Sequence, residues 1–410
     1  MRVLLDRFLR RFIVTGRLRV TWPDGRVSRY EGAPGPSAQL ALRDWRAVRR
    51  LVADPAMACG ECYMDASLVP VDCSLYELLD VLITNLVASG ATQPVLRARA
   101  LLQHVQRRIR QFNPAGRSRR NVARHYDLNG RLYSLFLDRD RQYSCAYFLT
   151  GSETLDEAQD AKKRHIAAKL CLDRPGLEVL DIGCGWGGLA LTLAREFGAR
   201  VTGITLSTEQ LNEARARAAA EGLDEQVRFE LADYRTLDRR FDRIVSVGMF
   251  EHVGVPHYDA FFRVVRRCLA PDGLALLHAI GRHGPPQATN PWIAKYIFPG
   301  GYCPALSEVL PAIERAPLIA TDIEVLRLHY AETLRHWRRR FAANRDTIAA
   351  LYDERFCRMF EFYLCGSELS FRREGLMIFQ IQLSRAVDAV PLTRDYIGAV
   401  ERVAEPSLVA

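Results

Sequence analysis

The sequence predicts an α/β protein in which a doubly wound, Rossmann-like sheet carries a helical lid insertion and follows a smaller N-terminal α+β domain. Three observations predict this class. The chain has 410 residues, roughly two to three times the usual length of one domain. From about residue 175, short apolar runs alternate with helical stretches, which is typical of a parallel doubly wound sheet. Four glycines follow the first of these runs, as they do where a strand end binds a ligand.

Residues 1–110 are predicted to form the small domain. Alternating apolar residues on both sides of Pro23-Asp24-Gly25 predict a β-hairpin, with Leu18, Val20 and Trp22 before the turn. Two later segments show the three- and four-residue spacing of amphipathic helices, namely SLYELLDVLITNL (74–86) and VLRARALLQHVQRRIRQF (95–112). Residues 111–120 combine Pro, Gly and a charge cluster, which indicates a linker.

Residues 121–395 are predicted to form the larger domain, and residues 396–410 a C-terminal tail. Five successive runs are predicted to be its strands: LEVLDIG (177–183), ARVTGITLS (199–207), QVRFELAD (226–233), FDRIVSVG (241–248) and GLALLHAIG (273–281). Residues 283–365 are expected to be mostly helical, and LMIFQIQLS (376–384) to be a closing strand.

Composition excludes several classes of protein. Hydrophobic residues make up 49% and charged residues 26% of the chain, a balance that excludes collagen-like, disordered and disulfide-scaffold proteins. The sequence contains no apolar run approaching the ~18 residues that cross a bilayer. Charge is mixed into MRVLLDRFLRRF, so this segment is not expected to be a secretory signal.

Ten scattered cysteines indicate reduced thiols and a cytoplasmic location. The lone pair Cys59 and Cys62 is interpreted as incidental, and no metal site is expected.

The positive charge is unevenly distributed. Residues 1–120 contain 20 arginines, no lysine and 10 acidic residues, a net charge of +10, whereas the remaining 290 residues carry −1. Such a region attracts polyanions, either nucleic acid or an anionic membrane face. A solvated basic surface without a partner is the alternative interpretation.

The glycine-rich turn predicts a cofactor site. Gly183, Gly185, Gly187 and Gly188 follow Asp181 directly before a helix, where they allow a tight turn and close approach of a ligand to the backbone. A dinucleotide site would need an acid at the tip of the second strand. That tip is Thr205-Leu206-Ser207, which counts against NAD. The acid before the glycines, together with Asp233-Tyr234 after the third strand, resembles the S-adenosylmethionine methyltransferases.

Further segments narrow this resemblance. They fall in order along the chain: ARHYDL (123–128), QYSCAYF (142–148), VLDIGCGWGG (179–188), GITLSTEQ (203–210), FDRIVSVGMFEHVG (241–254), LLHAIG (276–281), PWIAKYIFPGG (291–301), HYAETLRHW (329–337) and ERFCRMFEFYLCG (354–366). Together they resemble the cyclopropane-fatty-acyl-phospholipid synthases, which are related to the mycolic acid cyclopropane synthases, over about residues 121–390. There is one departure. The family usually reads Leu-Gly-Asn-Asp where this chain has Leu128-Asn129-Gly130-Arg131, so a contact made by the missing acid would be lost.

The resemblance implies that the protein transfers a methylene group from S-adenosylmethionine to the cis double bond of unsaturated acyl chains in membrane phospholipids, forming a cyclopropane ring. The implied cofactor-binding residues are Tyr143, Ser144, Asp181, Gly183, Gly185, Gly187, Thr205, Leu206, Gln210, Asp233 and Tyr234. The implied partner surface is an anionic membrane, with the protein bound peripherally to the inner face of the cell membrane. No nucleic-acid partner is expected, and the oligomeric state is left open, a homodimer included.

Ring closure requires a base, because the transferred methyl must lose a proton. Family enzymes use bound bicarbonate, and the resemblance implies a cage made by the side chains of Glu251, His278 and Tyr330 and the backbone of Cys145 and Ile280. Cys365 aligns with a cysteine once considered catalytic, but no adjacent residue would lower its pKa, so we interpret it as lining the pocket.

These assignments have alternatives. Glu251 could cap a helix, His278 could be an ordinary core histidine, and Tyr330 could simply pack. An enzyme that makes methyl- or methylene-branched chains from the same cation would share the site. An inactive lipid-binding relative and a nucleic-acid methyltransferase are further candidates. The last is disfavoured because the sequence contains no aromatic-basic ladder for stacking bases.

Overall fold

A computed structural model describes residues 1–90 and 130–403. The predicted linker, residues 111–120, the helix over 95–112 and the last residues of the predicted tail lie outside the described residues. The described helices are α1 (Arg2–Phe12), α2 (Trp45–Ala53), α3 (Pro55–Met64), α4 (Leu75–Gly90), α5 (Gly130–Phe136), α6 (Leu155–Lys169), α7 (Gly188–Phe197), α8 (Thr208–Ala220), α9 (Tyr258–Cys268), α10 (Pro291–Tyr296), α11 (Leu306–Arg315), α12 (His329–Ala343), α13 (Arg345–Leu351), α14 (Glu354–Arg373) and α15 (Asp395–Val403).

The described strands form two sheets. They are β1 (Thr15–Thr21), β2 (Val27–Glu31), β3 (Ala33–Leu42), β4 (Leu68–Pro70), β5 (Glu178–Ile182), β6 (Arg200–Thr205), β7 (Val227–Leu231), β8 (Phe241–Val247), β9 (Leu269–Arg282), β10 (Ile319–Leu326) and β11 (Leu376–Ser384). The first four make a small sheet in the order β2-β1-β3-β4, and the other seven make a large sheet in the order β10-β11-β9-β8-β5-β6-β7. Both parts of the predicted fold class are confirmed.

The chain divides into two compact units. Among the described residues, the first unit contains 1–90, 287–299 and 334–375, and the second contains 130–286, 300–333 and 376–403. Residues 287–299 and 334–375, which lie within the predicted larger domain (121–395), therefore group with the N-terminal segment. Their aromatic side chains explain this grouping, because Trp292 and Phe362 pack together and the indole of Trp292 occupies the space in front of Gly60.

The small sheet has one buried face and one exposed face. β1 and β2 form the predicted antiparallel hairpin, and Gly25 occupies its turn with φ +78°. Leu18, Val20 and Trp22 alternate into the buried apolar cluster, as their period of two requires. The residues between them on β1 face outward.

The large sheet contains the predicted parallel strands. β5 pairs in parallel with β6 and β8, β6 with β7, and β8 with β9. β11 is antiparallel to β9, so the closing strand is confirmed and the sheet is mixed rather than wholly parallel. The segment expected to be mostly helical, residues 283–365, is so, but it also contains β10, which was not predicted. β10 is an edge strand with Ile323 and Val325 exposed, and its mixed sequence lacks the continuous apolar run that marks the buried strands.

The topology determines where a ligand can bind. The chain passes from β5 to β6 on one side and later to β8 on the other side, so the strand order reverses at β5. In open α/β sheets, ligands bind in the crevice beyond the carboxyl ends of the strands at such a switch point. Helix α7 begins at Gly188, immediately after this end of β5.

Candidate functional site

The glycine-rich turn connects β5 to α7 through three left-handed residues. Gly183, Gly185 and Gly187 have φ of +86°, +55° and +84°, a region that residues with a side chain rarely adopt. A Cβ at Gly187 would lie 2.6 Å from Phe229 Cζ, so this glycine is required by internal packing. A Cβ at Gly185 would meet no atom within 4 Å, because this glycine faces an open cavity.

The cavity lies at the carboxyl ends of β5, β6, β7 and β8. Ten of the predicted cofactor-binding residues line it: Tyr143, Ser144, Asp181, Gly183, Gly185, Thr205, Leu206, Gln210, Asp233 and Tyr234. Gly187 does not, since it packs against the sheet side of the turn. The cavity is also lined by residues that were not predicted to bind the cofactor, among them Asp140, Arg141, Gln142, Trp186, Met249 and His252.

Polar groups at the ends of β6 and β7 are held in place by local hydrogen bonds. Thr205 Oγ1 donates to Gln210 Oε1 at 2.9 Å, while the hydroxyl of Ser207 accepts from the backbone N–H of Gln210 and caps α8. Asp233 binds the guanidinium of Arg235 at 2.7 Å. Thr205 and Gln210 therefore present a fixed pair of polar side chains where a dinucleotide enzyme would have an acid.

One wall of the cavity is an irregular segment that precedes α6. We call Gln142–Ser144 the cover segment. The ring of Tyr143 packs edge-on against Tyr133 of α5, with 5.4 Å between centroids, and Tyr133 also contacts Trp186 of the glycine turn at 4.8 Å. These aromatic contacts bring the QYSCAYF motif to the cavity, although it precedes β5 by more than 30 residues.

Asp140 anchors the same wall through buried ion pairs that the sequence analysis missed. Its carboxylate binds Lys163 Nζ at 2.8 Å and also accepts from Arg217. Burial alone would raise the pKa of Asp140, but these two cations outweigh it and lower the pKa. Arg217 also donates to the carbonyl oxygen of Trp186 at 2.9 Å, so the anchor extends to the glycine turn.

A second polar group lies behind the turn that follows β8. Met249 and His252 line the cavity, whereas Glu251 between them is buried and its Oε1 accepts from the backbone N–H of Ile280 at 2.6 Å. His278 lies two residues earlier on β9, and side chains two apart on a strand share a face. The structure thus places Glu251 against the backbone of Ile280, two residues from His278 on the same strand.

His278 is oriented by Gln380 of β11, which pairs directly with it across the sheet. Gln380 Nε2 lies 3.1 Å from His278 Nδ1, and both side chains are buried. In this arrangement the amide donates to Nδ1, so the proton of the neutral imidazole is on Nε2. Among the described residues, His278 Nε2 and Glu251 Oε2 are buried polar atoms without a hydrogen-bond partner.

Burial controls the protonation of this group. It raises the pKa of Glu251 to about 7 and lowers the pKa of His278 well below its ordinary value. Burial also raises the pKa of Asp181 at the end of β5 to about 7. Near neutral pH, a substantial fraction of Glu251 is therefore protonated, while His278 is neutral.

Cys145 and Tyr330 are brought close by the start of α12. The N–H of Ala146 donates to Thr333 Oγ1 at 3.0 Å, and the N–H of Phe148 donates to His329 Nδ1 at 3.0 Å. The backbone around Cys145 is thus bound to the first turn of the helix that contains Tyr330, which is itself buried.

Cys365 is in a different environment. It lies in α14, within the first unit, where it packs in a buried cluster with Tyr63, Leu75, Leu79 and Leu369. Burial raises its pKa, which disfavours the thiolate. Cys365 does not line the cavity at the glycine turn, and its interpretation as a residue lining the acyl-chain pocket stays a prediction.

Gly130 and Arg131, which belong to the segment that departs from the family's sequence, are the first two residues of helix α5. Asn129 lies outside the described residues. The N–H of Gly130 donates to Glu209 Oε1 at 3.3 Å. A Cβ at Gly130 would lie 3.3 Å from the same oxygen, so the glycine permits this approach. A carboxylate of α8 therefore contacts the first residue of α5.

Comparisons with known proteins agree with this geometry. Residues 114–381 match the family described as mycolic acid cyclopropane synthetase. The chain is 39% identical over 354 residues to the cyclopropane-fatty-acyl-phospholipid synthase of Escherichia coli K12, covering 86% of this chain and 89% of that protein. It is 36% identical over 397 residues to the tuberculostearic acid methyltransferase UfaA1 of Mycobacterium tuberculosis, covering 93% and 91%.

Solved structures agree as well. The mycolic acid cyclopropane synthase CmaA1, crystallised with SAH and CTAB, superposes with a TM-score of 0.61 at 34% identity, covering 67% of this chain and 99% of that one. The resemblance inferred from the motifs is therefore confirmed. The chain belongs to the mycolic acid cyclopropane synthetase family, and with it to the S-adenosylmethionine-dependent enzymes of the cyclopropane-fatty-acyl-phospholipid synthase kind.

Proposed function

We propose that this protein transfers a methylene group from S-adenosylmethionine to the cis double bond of unsaturated acyl chains in membrane phospholipids, forming a cyclopropane ring. The observation that carries the proposal is the pair of unpaired buried atoms, Glu251 Oε2 and His278 Nε2, beside the turn that lines the cofactor cavity. Leaving such atoms unpaired costs about 1–3 kcal/mol each, so a polar ligand between them is the simplest reason for their retention.

The chemistry explains why a base must be held there. S-adenosylmethionine supplies a methyl sulfonium, and attack by the double bond leaves positive charge on the chain. The methyl carbon must then lose a proton to close the ring, in surroundings that keep water from trapping the cation. Phe250, which precedes Glu251, is buried among aromatic rings, and this packing supports a dry environment around the turn.

We propose bicarbonate as the proton acceptor. The residues fit an oxyanion, since neutral His278 offers Nε2–H and protonated Glu251 offers a carboxyl proton as donors. Tyr330 and the backbone of Cys145 would complete the cage from α12 and from the cover-segment side. Their roles, like those of Glu251, His278 and Ile280, belong to this proposal.

The test is expression in bacteria that lack cyclopropane lipids, followed by mass analysis of their fatty-acid methyl esters. Wild-type protein should produce ring-containing chains, and Glu251→Gln should lower the yield strongly. Purified enzyme freed of dissolved carbon dioxide should regain activity when bicarbonate is added. Full activity of decarbonated enzyme, together with an active Glu251→Gln variant, would contradict the bicarbonate assignment.

A methyl-branching reaction is the second candidate. It is favoured by the similarity to the tuberculostearic acid methyltransferase, which extends over 93% of this chain. The same cation would then lose its proton elsewhere. The ester masses separate the two reactions, because a reduced methyl branch contains two hydrogens more than a cyclopropane ring.

We further propose that the protein binds peripherally to the anionic inner face of the cell membrane, where its substrate lies. Arg19 and Arg29 lie directly opposite each other on the exposed face of the small sheet, and Arg17 on the same face lies opposite Glu31. Like charges in this arrangement repel unless an anion compensates them. Within 1–90 and 130–403, none of the three is ion-paired. The exposed Val3 and Leu4 of α1 add apolar surface to the same unit.

The remaining positive charge lies further along the chain. Residues 91–120 contain eight arginines and no acidic residue, and they lie outside the described residues. No helix of the described residues is long and apolar enough to span a bilayer. Co-sedimentation with phosphatidylglycerol vesicles should fall steeply as salt rises, because each basic residue contributes about 1 kcal/mol through electrostatics. Equal binding to phosphatidylcholine vesicles at high salt would contradict this proposal.

A further inference from the structure

Lys162 of α6 is a buried ammonium group in contact with the cover segment. It is 1% exposed, and its Nζ donates to Gln142 Oε1 at 2.5 Å and to Ser144 Oγ at 2.9 Å. Both acceptors line the cofactor cavity, whereas Lys162 does not. A buried charge is costly unless it is paired or hydrogen-bonded, so these contacts are what makes its position tolerable.

Gln159, one turn earlier on α6, binds the backbone of the same segment. Its Nε2 donates to the carbonyl oxygen of Ser144 at 2.9 Å and to that of Gln142 at 3.3 Å. The side chains of the cover segment are thus bound by Lys162 and its carbonyl groups by Gln159. This segment has no helix or strand hydrogen bonds of its own, so contacts with side chains determine its path. Those with α6 act together with the hydrogen bond from the N–H of Gln142 to Asp138 Oδ1 at 2.8 Å and with the aromatic contacts described above.

The charge of Lys162 also acts on the polar groups around it. Burial lowers the pKa of Lys162 to about 8, a shift that the nearby Asp138 opposes. Burial raises the pKa of Asp181, and the charge of Lys162 opposes that rise. The same charge adds to the effect of burial in lowering the pKa of His278. Lys162 therefore contacts the cover segment and acts electrostatically on Asp181 of β5 and on His278 of β9.

We propose that Lys162 is a positioning residue of the S-adenosylmethionine site, which holds the cover segment against the cavity through Gln142 and Ser144. The inference rests on the proposed function, because it presumes that this cavity takes the cofactor. Lys162 contributes through the cover segment and not by contact with the cofactor. Its loss should therefore weaken cofactor binding much more than it slows turnover at saturating cofactor.

The test compares Lys162→Met and Lys162→Arg with wild type by calorimetry with S-adenosylhomocysteine and by steady-state kinetics. Hydrogen bonds to a charged group contribute about 1.5–3 kcal/mol, so Lys162→Met should weaken S-adenosylhomocysteine binding by about 10- to 100-fold. KM for S-adenosylmethionine should rise in parallel, with kcat changed by less than about threefold. Lys162→Arg, which restores donors, should recover part of the affinity.

Lys169→Met is the matched control. Lys169 is a fully buried lysine of the same helix, but it pairs with Glu324 and with Asp322 at 3.2 Å, away from the cavity. This variant should lower the melting temperature without changing S-adenosylhomocysteine affinity. A double-mutant cycle with Ser144→Ala adds a second measurement, since Lys162→Met should cost less affinity when its acceptor is already absent.

The outcomes distinguish a failure of the proposed function from a failure of the role assigned to Lys162. Wild-type protein that fails to bind S-adenosylhomocysteine would contradict the proposed function itself. Wild-type binding together with unchanged affinity in a folded Lys162→Met variant would overturn only the role of Lys162. Equal losses of affinity in Lys162→Met and Lys169→Met would also overturn it, because they indicate a general loss of stability. Full additivity with Ser144→Ala would overturn it as well, because it shows that Lys162 does not act through Ser144.

Discussion

A valine at Gly185 should abolish cofactor binding while leaving the fold intact. The residue has φ +55°, and its Cβ would point into open space with no atom within 4 Å. Because the Cβ of a valine there would contact no protein atom, the free energy of unfolding should fall mainly through the strain of the left-handed backbone, by about 1–3 kcal/mol. The branched side chain would occupy the volume directly above the glycine turn, where the proposed ligand lies against the backbone.

Gly222 provides a control with matched strain. It has φ +66° at the end of α8, is exposed, and a Cβ added there would meet no atom within 4 Å. It does not line the cavity. Gly222→Val should therefore lose about the same stability as Gly185→Val, because both place a β-branched residue in the left-handed region.

The assay is calorimetry with S-adenosylhomocysteine, with thermal unfolding measured on the same samples. We expect affinity to fall by at least about 100-fold in Gly185→Val, which corresponds to about 2.7 kcal/mol. Gly222→Val should bind as wild type does, with a similar drop in melting temperature. A folded Gly185→Val protein with unchanged affinity would refute the cofactor assignment, and equal loss of affinity in both variants would attribute the effect to strain.

Four further predictions concern other residues. Glu251→Gln should lower turnover by about 10²–10⁴-fold with S-adenosylhomocysteine affinity retained, as expected for loss of a group that holds a base. Burial raises the pKa of Glu251 from 4.5 to about 7, so this residue should contribute a loss of about 3 kcal/mol of stability as pH rises from 4.5 to 7. The loss measured by chemical denaturation should be smaller by about that amount in Glu251→Gln, in which Asp181 still contributes its own part. Cys365→Ala should lower the melting temperature but keep kcat within about threefold, because this thiol lies in an apolar cluster of the first unit; a 100-fold loss of kcat would contradict this. Replacing Arg17, Arg19 and Arg29 by glutamine should weaken binding to phosphatidylglycerol vesicles and flatten its salt dependence, whereas unchanged co-sedimentation would exclude this sheet face.

Local patterns predict much of the fold. The hairpin around Gly25 and the five parallel strands follow from alternation and from short apolar runs, which each segment carries within itself. β10 cannot be predicted from such a run, because it lies at a sheet edge. Its Ile323 and Val325 remain exposed, and a strand that is not buried on both faces does not require a continuous apolar sequence. The grouping of 287–299 and 334–375 with the first unit depends on packing between distant aromatic side chains, which no local pattern records.

The cofactor cavity is predictable for the same reason. The glycine turn, the tip of β6 and Asp233 each follow a strand directly, and parallel strands place their carboxyl ends together. Gly187 shows the limit of this reasoning. From the motif alone, Gly187 and Gly185 are both expected to face the ligand. In the structure the ring of Phe229, from a separate strand, occupies the space beside Gly187, so this glycine is required for packing.

Residues that are near neighbours along the chain, or that stand in a collinear series of motifs, predict the succession of the five parallel strands, the glycine turn and the family. Which polar atoms are buried, paired or left without a partner depends instead on how distant segments of the chain pack. Glu251 meets Ile280 across 29 positions, His278 meets Gln380 across 102, and Lys162 meets Gln142 across 20. The protonation of each depends on burial and on the partner's charge, and both arise only when the separate strands and helices pack together.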